Sequence, residues 1–132
     1  MRRSLCSVPS QAIVGVSVNM RYALAAFHSP PVPIRAKVVT LFHELLHVYL
    51  VRHPVRDSAL LREQASASRC VRNHVHLLAL MKAVFLQLGE IPTLSEEIAA
   101  AQALPDDCYA KAWALVNASE IAYLRYVAEI AR

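Results

Sequence analysis

Two histidines with a glutamate between them stand in the middle of an apolar stretch. His43 and His47 are four residues apart, and Glu44 directly follows the first histidine. On a helix, residues four apart lie one turn above each other on the same side, so both imidazoles can reach one tetrahedral ion. Glu44 lies about 100° further round the axis, which directs it to a water on the metal. The spacing predicts a zinc site whose water is acidified by the metal and deprotonated by Glu44.

The residues around this motif are almost all apolar. Between Thr40 and Arg52, the strongly polar side chains besides the Tyr49 hydroxyl are the two histidines and the glutamate. A helix that is apolar all round is expected to be buried, where an isolated carboxylate is costly. A bound cation with its water would satisfy all three groups together. The alternative is a metal-free helical interaction domain in which each group has its own partner.

The segment from Thr40 to Tyr49 also resembles the longer pattern of the zincin-like metallopeptidases, in particular their small, minimal type. Thr40 stands three residues before the first histidine, the variable positions are uncharged, and hydrophobic residues follow. The resemblance implies one Zn²⁺ ion on His43 and His47, with Glu44 as the general base of a zinc metallopeptidase. It also implies a peptide or protein substrate held along an upstream edge strand. A non-catalytic zinc-binding regulatory or protein-interaction domain on the same scaffold is the alternative.

A catalytic zinc site usually has three protein ligands, and the third is left open by the sequence. If helices end near Arg52 and restart near Ser58, the hairpin brings residues 63–67 opposite the motif, which favours Glu63. The same layout resembles short zincins with a glutamate ligand. If the second helix starts later, near Asn73, His74 and His76 are alternatives. His53 is a further alternative, because it follows His47 by six residues, the spacing seen in metzincins.

The elements that position these residues are predicted from local signals. The β-branched run 12–18 predicts a strand, residues 22–27 are ambiguous between strand and helical turn, and a helix is expected from about Ile34 to about Val51. Asp57 or Ser58 can cap a second helix, which ends at Gly89 or is broken between 66 and 73. A capping box at 93–96 predicts the next helix. A last helix follows 105–107 and is open to a split at 117–120; its expected core residues are Tyr109, Trp113, Val116, Ile121 and Leu124.

These elements predict an α+β, mostly helical fold, with a short N-terminal β element followed by a zincin-like helical body. The 132 residues fit one domain spanning the whole chain, with residues 1–10 expected to be disordered or a clipped terminus. With 56% hydrophobic and 18% charged residues, the composition excludes a disordered chain. The two glycines, Gly15 and Gly89, exclude a phosphate-binding glycine loop of the usual form.

Charge and cysteine content bear on partners and compartment. The net charge of +4 is scattered along the chain, so no nucleic-acid partner is expected. No window holds 18 uninterrupted apolar residues, so no membrane span is expected. The cysteines, at positions 6, 70 and 108, are odd in number and widely spaced. That pattern predicts neither a disulfide framework nor a thiolate zinc site, and it favours a cytoplasmic location.

Overall fold

The computed structural model describes residues 11–12, 16–17 and 32–130. The chain falls into two compact units, residues 1–51 and 52–132, and each is described by itself. The predicted single domain over 1–132 stays a prediction. The expectations for residues 1–10 and 22–27 lie outside the described residues.

The predicted α+β class is wrong, because the described residues are helical apart from one minimal antiparallel pairing. In it, β1 (Gln11–Ala12) pairs with β2 (Val16–Ser17), with Ala12 opposite Val16. Residues 12–18 are therefore not one strand, since two positions of that run pair with each other. The β-branched composition was misleading because β propensity reflects packing on a sheet. The described part of the chain offers no further strand to build one.

The predicted helix around the histidine motif is confirmed as α1, Ile34–Arg52. It begins directly after Pro33, whose carbonyl accepts a hydrogen bond from the Lys37 amide at 3.3 Å, and it ends before Pro54. Its burial differs from the expectation of a helix enclosed on all sides. Val39, His43, Glu44 and Leu46 are buried, whereas an apolar stripe on the opposite side is exposed, at Ile34, Val38, Leu41, Leu45 and Tyr49.

Two serine caps start the next two helices. Ser58 accepts a hydrogen bond from the Leu61 amide at 2.9 Å and begins α2, Ala59–Glu63. Ser68 accepts from the Val71 amide at 3.2 Å and begins α3, Arg69–Gln87. Each side chain satisfies a backbone amide that the first helical turn leaves without a partner. The Ser58 cap is thus confirmed. A break between two helices is present as well, but it covers residues 64–68 and so only overlaps the predicted range of 66–73.

Gly89 ends α3 as predicted. Its φ of +72° is the left-handed conformation that glycine adopts without steric cost. The Glu90 amide then donates to the Phe85 carbonyl at 2.8 Å, which closes a Schellman turn. The chain re-enters a helix at once, so α4 (Ile91–Gln102) starts before the predicted capping box. Thr93 is inside that helix, where its hydroxyl donates to Glu90 Oε2 at 2.7 Å.

The last predicted helix is two, α5 (Cys108–Val116) and α6 (Ala122–Ile130). Helix α3 is central to the second unit and packs against α4, α5 and α6. Trp113 and Val116 are in its core as predicted. Ile121 and Leu124 are 63% and 47% exposed, so their predicted burial is wrong. The break before α6 resets the helical phase, and a period carried across it assigns the wrong face.

Candidate metal centre

The two histidines of α1 turn their rings towards each other. His43 Nε2 lies 3.1 Å from His47 Nε2, and the ring centroids are 4.9 Å apart. Two nitrogens bound to one tetrahedral zinc ion, each at 2.0–2.1 Å, are separated by about 3.3 Å. The observed separation is close to that value. The separation of the two nitrogens is therefore compatible with one shared ion, as the spacing of four residues on a helix allows.

Glu44 is buried beside this pair. The residue is 6% exposed, and its Oε2 atom has no hydrogen-bond partner among the described residues. Burial raises the pKa of this carboxyl above its ordinary value of 4.5. A buried polar atom without a partner is rare, and it points to an ion, a water or a chemical role. The donor set of two imidazoles with an adjacent buried carboxylate fits zinc.

The four residues predicted for the third position all belong to the second unit. Glu63 is on the surface, where its carboxylate lies 3.9 Å from Arg125 Nη2. His76 is buried, and its Nε2 lies 2.8 Å from Glu129 Oε2, which matches the alternative of a core histidine with a hydrogen bond. His53 is exposed just beyond α1. The identity of the third ligand stays a prediction.

His74 belongs to a second group of ligand-type side chains. Its Nδ1 lies 3.7 Å from Cys70 Sγ, and the ligand atoms of Cys70, His74 and Cys108 all lie within 4.8 Å of one another. Burial lowers the pKa of His74, against the opposing effect of its hydrogen bond to the Cys70 carbonyl at 2.8 Å. His/Cys groups able to hold a metal ion are therefore present, as the cofactor prediction requires in general terms.

Cys70 and Cys108 form a disulfide, with their Cα atoms 6.0 Å apart. The expectation that the cysteines form no disulfide is wrong for this pair. The two residues are 38 positions apart in sequence, and they meet because α3 packs against α5. Their spacing carried no signal of that packing. The predicted cytoplasmic location stays a prediction.

A third polar cluster, which the sequence did not indicate, surrounds Glu129. Ser58 Oγ donates to Glu129 Oε2 at 2.5 Å, and the Leu60 amide donates to Oε1 at 3.3 Å. With His76 at 2.8 Å, the carboxylate has three partners. Burial raises the pKa of Glu129, but the hydrogen bonds outweigh this effect and hold the pKa below 4.5. The carboxylate lies between serine and imidazole, so the cluster lacks the serine–histidine contact that activates a nucleophile.

None of the protein-family models, curated proteins or solved structures compared with the chain matches it. The resemblance to zincin-like metallopeptidases therefore depends on residues 40–49 and on the geometry of the histidine pair. Within the described residues, no helix has both the length and the apolar character that crossing a membrane requires.

Proposed function

We propose that this chain is a zinc-dependent hydrolase that acts on peptide or protein substrates. His43 and His47 hold the ion, and Glu44 is the general base. One observation carries the proposal: the two Nε2 atoms lie 3.1 Å apart, and Glu44, the residue after His43, has a buried carboxylate whose Oε2 has no partner among the described residues.

In the proposed reaction, two of the side chains bind the metal ion and the third accepts a proton. A bound zinc ion acidifies a water molecule and polarises a carbonyl group. His43 and His47 present Nε2 from successive turns of one helix, so the backbone of α1 fixes their separation. Glu44 supplies the carboxylate that accepts a proton. Because burial raises its pKa, it is a stronger base than an exposed glutamate, as proton transfer near neutral pH favours.

A metal-free arrangement accounts for less of this geometry. One neutral histidine can donate to the other across 3.1 Å, which would explain the facing nitrogens. It would leave the Glu44 Oε2 atom buried without a donor. Leaving a carboxylate oxygen unsatisfied costs about 1–3 kcal/mol or more. A cation held by His43 and His47 would offset the negative charge of Glu44, and a water bound to that cation would supply a donor for Oε2.

The test compares Glu44→Gln with the wild-type chain, both with the disulfide intact. The matched control is Glu120→Gln, because Glu120 is exposed. Zinc content is measured by elemental analysis, and hydrolysis is followed with a dye-quenched unfolded protein. We expect Glu44→Gln to lose hydrolysis by about 10²–10⁴-fold while retaining the zinc content of the wild type. His47→Ala should lose both zinc and hydrolysis.

Each other outcome overturns a defined part of the proposal. Hydrolysis retained in Glu44→Gln would remove Glu44 from the role of base. A wild-type chain that binds zinc through His43 and His47 but cleaves nothing would instead be the non-catalytic regulatory or interaction domain. A chain that binds no metal, and melts at the same temperature with and without chelator, would be a metal-free helical domain.

A further inference from the structure

The Cys70–Cys108 disulfide and His74 form a cluster that the proposed hydrolase does not use. All three residues lie in the second unit, on α3 and at the first residue of α5. Their ligand atoms lie within 4.8 Å of one another. Two thiolates and an imidazole are a ligand set that zinc and cobalt bind with tetrahedral geometry. We propose that, once the disulfide is reduced, Cys70, Cys108 and His74 bind a thiophilic divalent cation of the zinc class.

The separation between sulfur and nitrogen already suits such an ion. Zinc–sulfur and zinc–nitrogen bonds of about 2.3 and 2.0–2.1 Å place the two atoms about 3.6 Å apart at a tetrahedral angle. Cys70 Sγ and His74 Nδ1 are 3.7 Å apart. They lie one turn apart on α3, so the helix holds this spacing without help from the disulfide.

The surroundings of Cys70 and Cys108 stabilise the thiolate, which is the form of cysteine that binds a metal, and a neighbouring ring restrains His74. Cys70 and Cys108 lie in the first turns of α3 and α5, where backbone amides stabilise a thiolate. Cys108 is 2% exposed, which keeps its sulfur within the packed interface of the two helices. The ring of Tyr109 lies 4.7 Å from the ring of His74 and limits its rotation.

Binding through Nδ1 requires an exchange of partners, in which the neutral ring moves its proton from Nδ1 to Nε2 through solvent and the freed Nδ1 lone pair binds the metal. The His74 ring now bonds the Cys70 carbonyl at 2.8 Å, and the metal would replace that bond. The carbonyl is not left unsatisfied, because an α-helix pairs it with the amide four residues later. This assignment withdraws His74, in the reduced protein, from the residues predicted to complete the His43 and His47 site. The two proposals are otherwise independent.

The redox step is a thiol–disulfide exchange. A dithiol such as dithiothreitol breaks the bond between the two protein sulfurs and is itself oxidised to a cyclic disulfide, leaving two protein thiols. When the cation binds, both thiols release their protons to solvent and each sulfur donates an electron pair to the metal. A low-molecular-weight disulfide such as oxidised glutathione reverses the sequence: it re-forms the protein disulfide, is reduced to two thiols, and the cation leaves.

The test titrates Co²⁺ into the full chain, reduced and then desalted without oxygen, and into the same protein oxidised with glutathione disulfide. A thiolate-to-cobalt charge-transfer band in the near ultraviolet reports sulfur ligands, which the His43 and His47 site lacks. We expect the band in the reduced protein, saturating at one ion per chain, and not in the oxidised protein. Absence of the band after reduction, or its presence in the oxidised protein, would overturn the proposal.

Variants assign the ligands. Cys70→Ser and Cys108→Ser should each weaken or abolish the band, whereas the matched control Cys6→Ser should keep it. His74→Ala should keep a sulfur band but bind Co²⁺ at least about 10-fold more weakly, since even groups behind a metal ligand change affinity by that factor. Asn73→Ala, at an exposed position of α3, is its control and should not alter affinity. Loss of the band in Cys6→Ser, or an unchanged affinity in His74→Ala, would refute the assignment.

Because the comparison of reduced with oxidised wild type needs no substitution, a variant that fails to fold does not remove the test.

Discussion

One glutamate in each unit is shielded from solvent, fully for Glu44 and partly for Glu129, and the environments of these two glutamates are opposite. Glu129 in α6 accepts hydrogen bonds from Ser58, His76 and the Leu60 amide, and its pKa is lowered. Glu44 in α1 has an oxygen without a partner among the described residues, and its pKa is raised. Burial alone would raise the pKa of both carboxyls, so the hydrogen-bond donors make the difference. We therefore expect the satisfied carboxylate of Glu129 to stabilise the fold, whereas the carboxylate of Glu44 is the one that we propose as a general base.

The largest stability effect is expected for Glu129→Ala. This change leaves a serine hydroxyl, an imidazole and a backbone amide without their acceptor. We expect the free energy of unfolding at neutral pH to fall by about 3 kcal/mol, because three donors on buried residues lose their acceptor at about 1 kcal/mol or more each. Urea unfolding followed by circular dichroism measures it. Glu120→Ala, at an exposed position, should stay within about 0.5 kcal/mol of the wild type.

Acid should abolish most of the stability difference between the wild type and Glu129→Gln, a variant that removes the charge of this carboxylate and keeps its shape. The pKa of Glu129 in the folded protein lies below its ordinary value of 4.5. Its contribution is therefore present above about pH 4.5 and is lost as the pH falls through the folded-state pKa. Unfolding at about pH 3 should show a smaller gap between wild type and Glu129→Gln than at neutral pH. A gap that is constant with pH would mean that the carboxylate charge does not stabilise the cluster.

A smaller difference in the free energy of unfolding is expected between alanine variants of the two helix-capping serines. Ser58 and Ser68 each cap a helix, but only Ser58 also donates to Glu129. Ser68→Ala should cost about 1 kcal/mol, the usual value of a cap. Ser58→Ala should cost about 1–2 kcal/mol more, because Glu129 also loses a charge-assisted hydrogen bond. Equal losses in the two variants, measured by urea unfolding, would show that the bond to Glu129 contributes nothing.

The smallest effect, and one of opposite sign, is expected for Glu44→Gln in metal-free protein. The neutral amide has the same shape and removes the cost of burying a carboxylate with an unpartnered oxygen. We expect the free energy of unfolding to rise by about 1 kcal/mol or less, whereas Glu129→Gln should lower it. A destabilised Glu44→Gln variant would mean that Glu44 is a structural residue like Glu129.

Features set by neighbouring residues could be predicted from the sequence. The bounds of α1, the Ser58 cap and the Gly89 terminus each depend on a few adjacent positions. The same is true of the histidine pair, because one helical turn is enough to bring the two rings together. The predicted strand failed because a sheet requires partners elsewhere in the chain, and none is found among the described residues.

Features that depend on packing between distant segments could not be predicted. Ser58 and Glu129 are 71 positions apart, and they meet only once α2 and α6 are in place. The disulfide joins positions 38 residues apart for the same reason. A third metal ligand is also a matter of tertiary packing, which explains why four residues remained open for it.

The disulfide has a further consequence for the integrity of the second unit. Residues 103–107, between α4 and α5, are all exposed, and they lie inside the loop that Cys70 and Cys108 close. Exposed connections of this kind are where proteases cut first. A backbone nick there would leave α3 and α4 on one fragment and α5 and α6 on the other, still tethered through sulfur. The two fragments would migrate as one species on a gel until a reductant separates them.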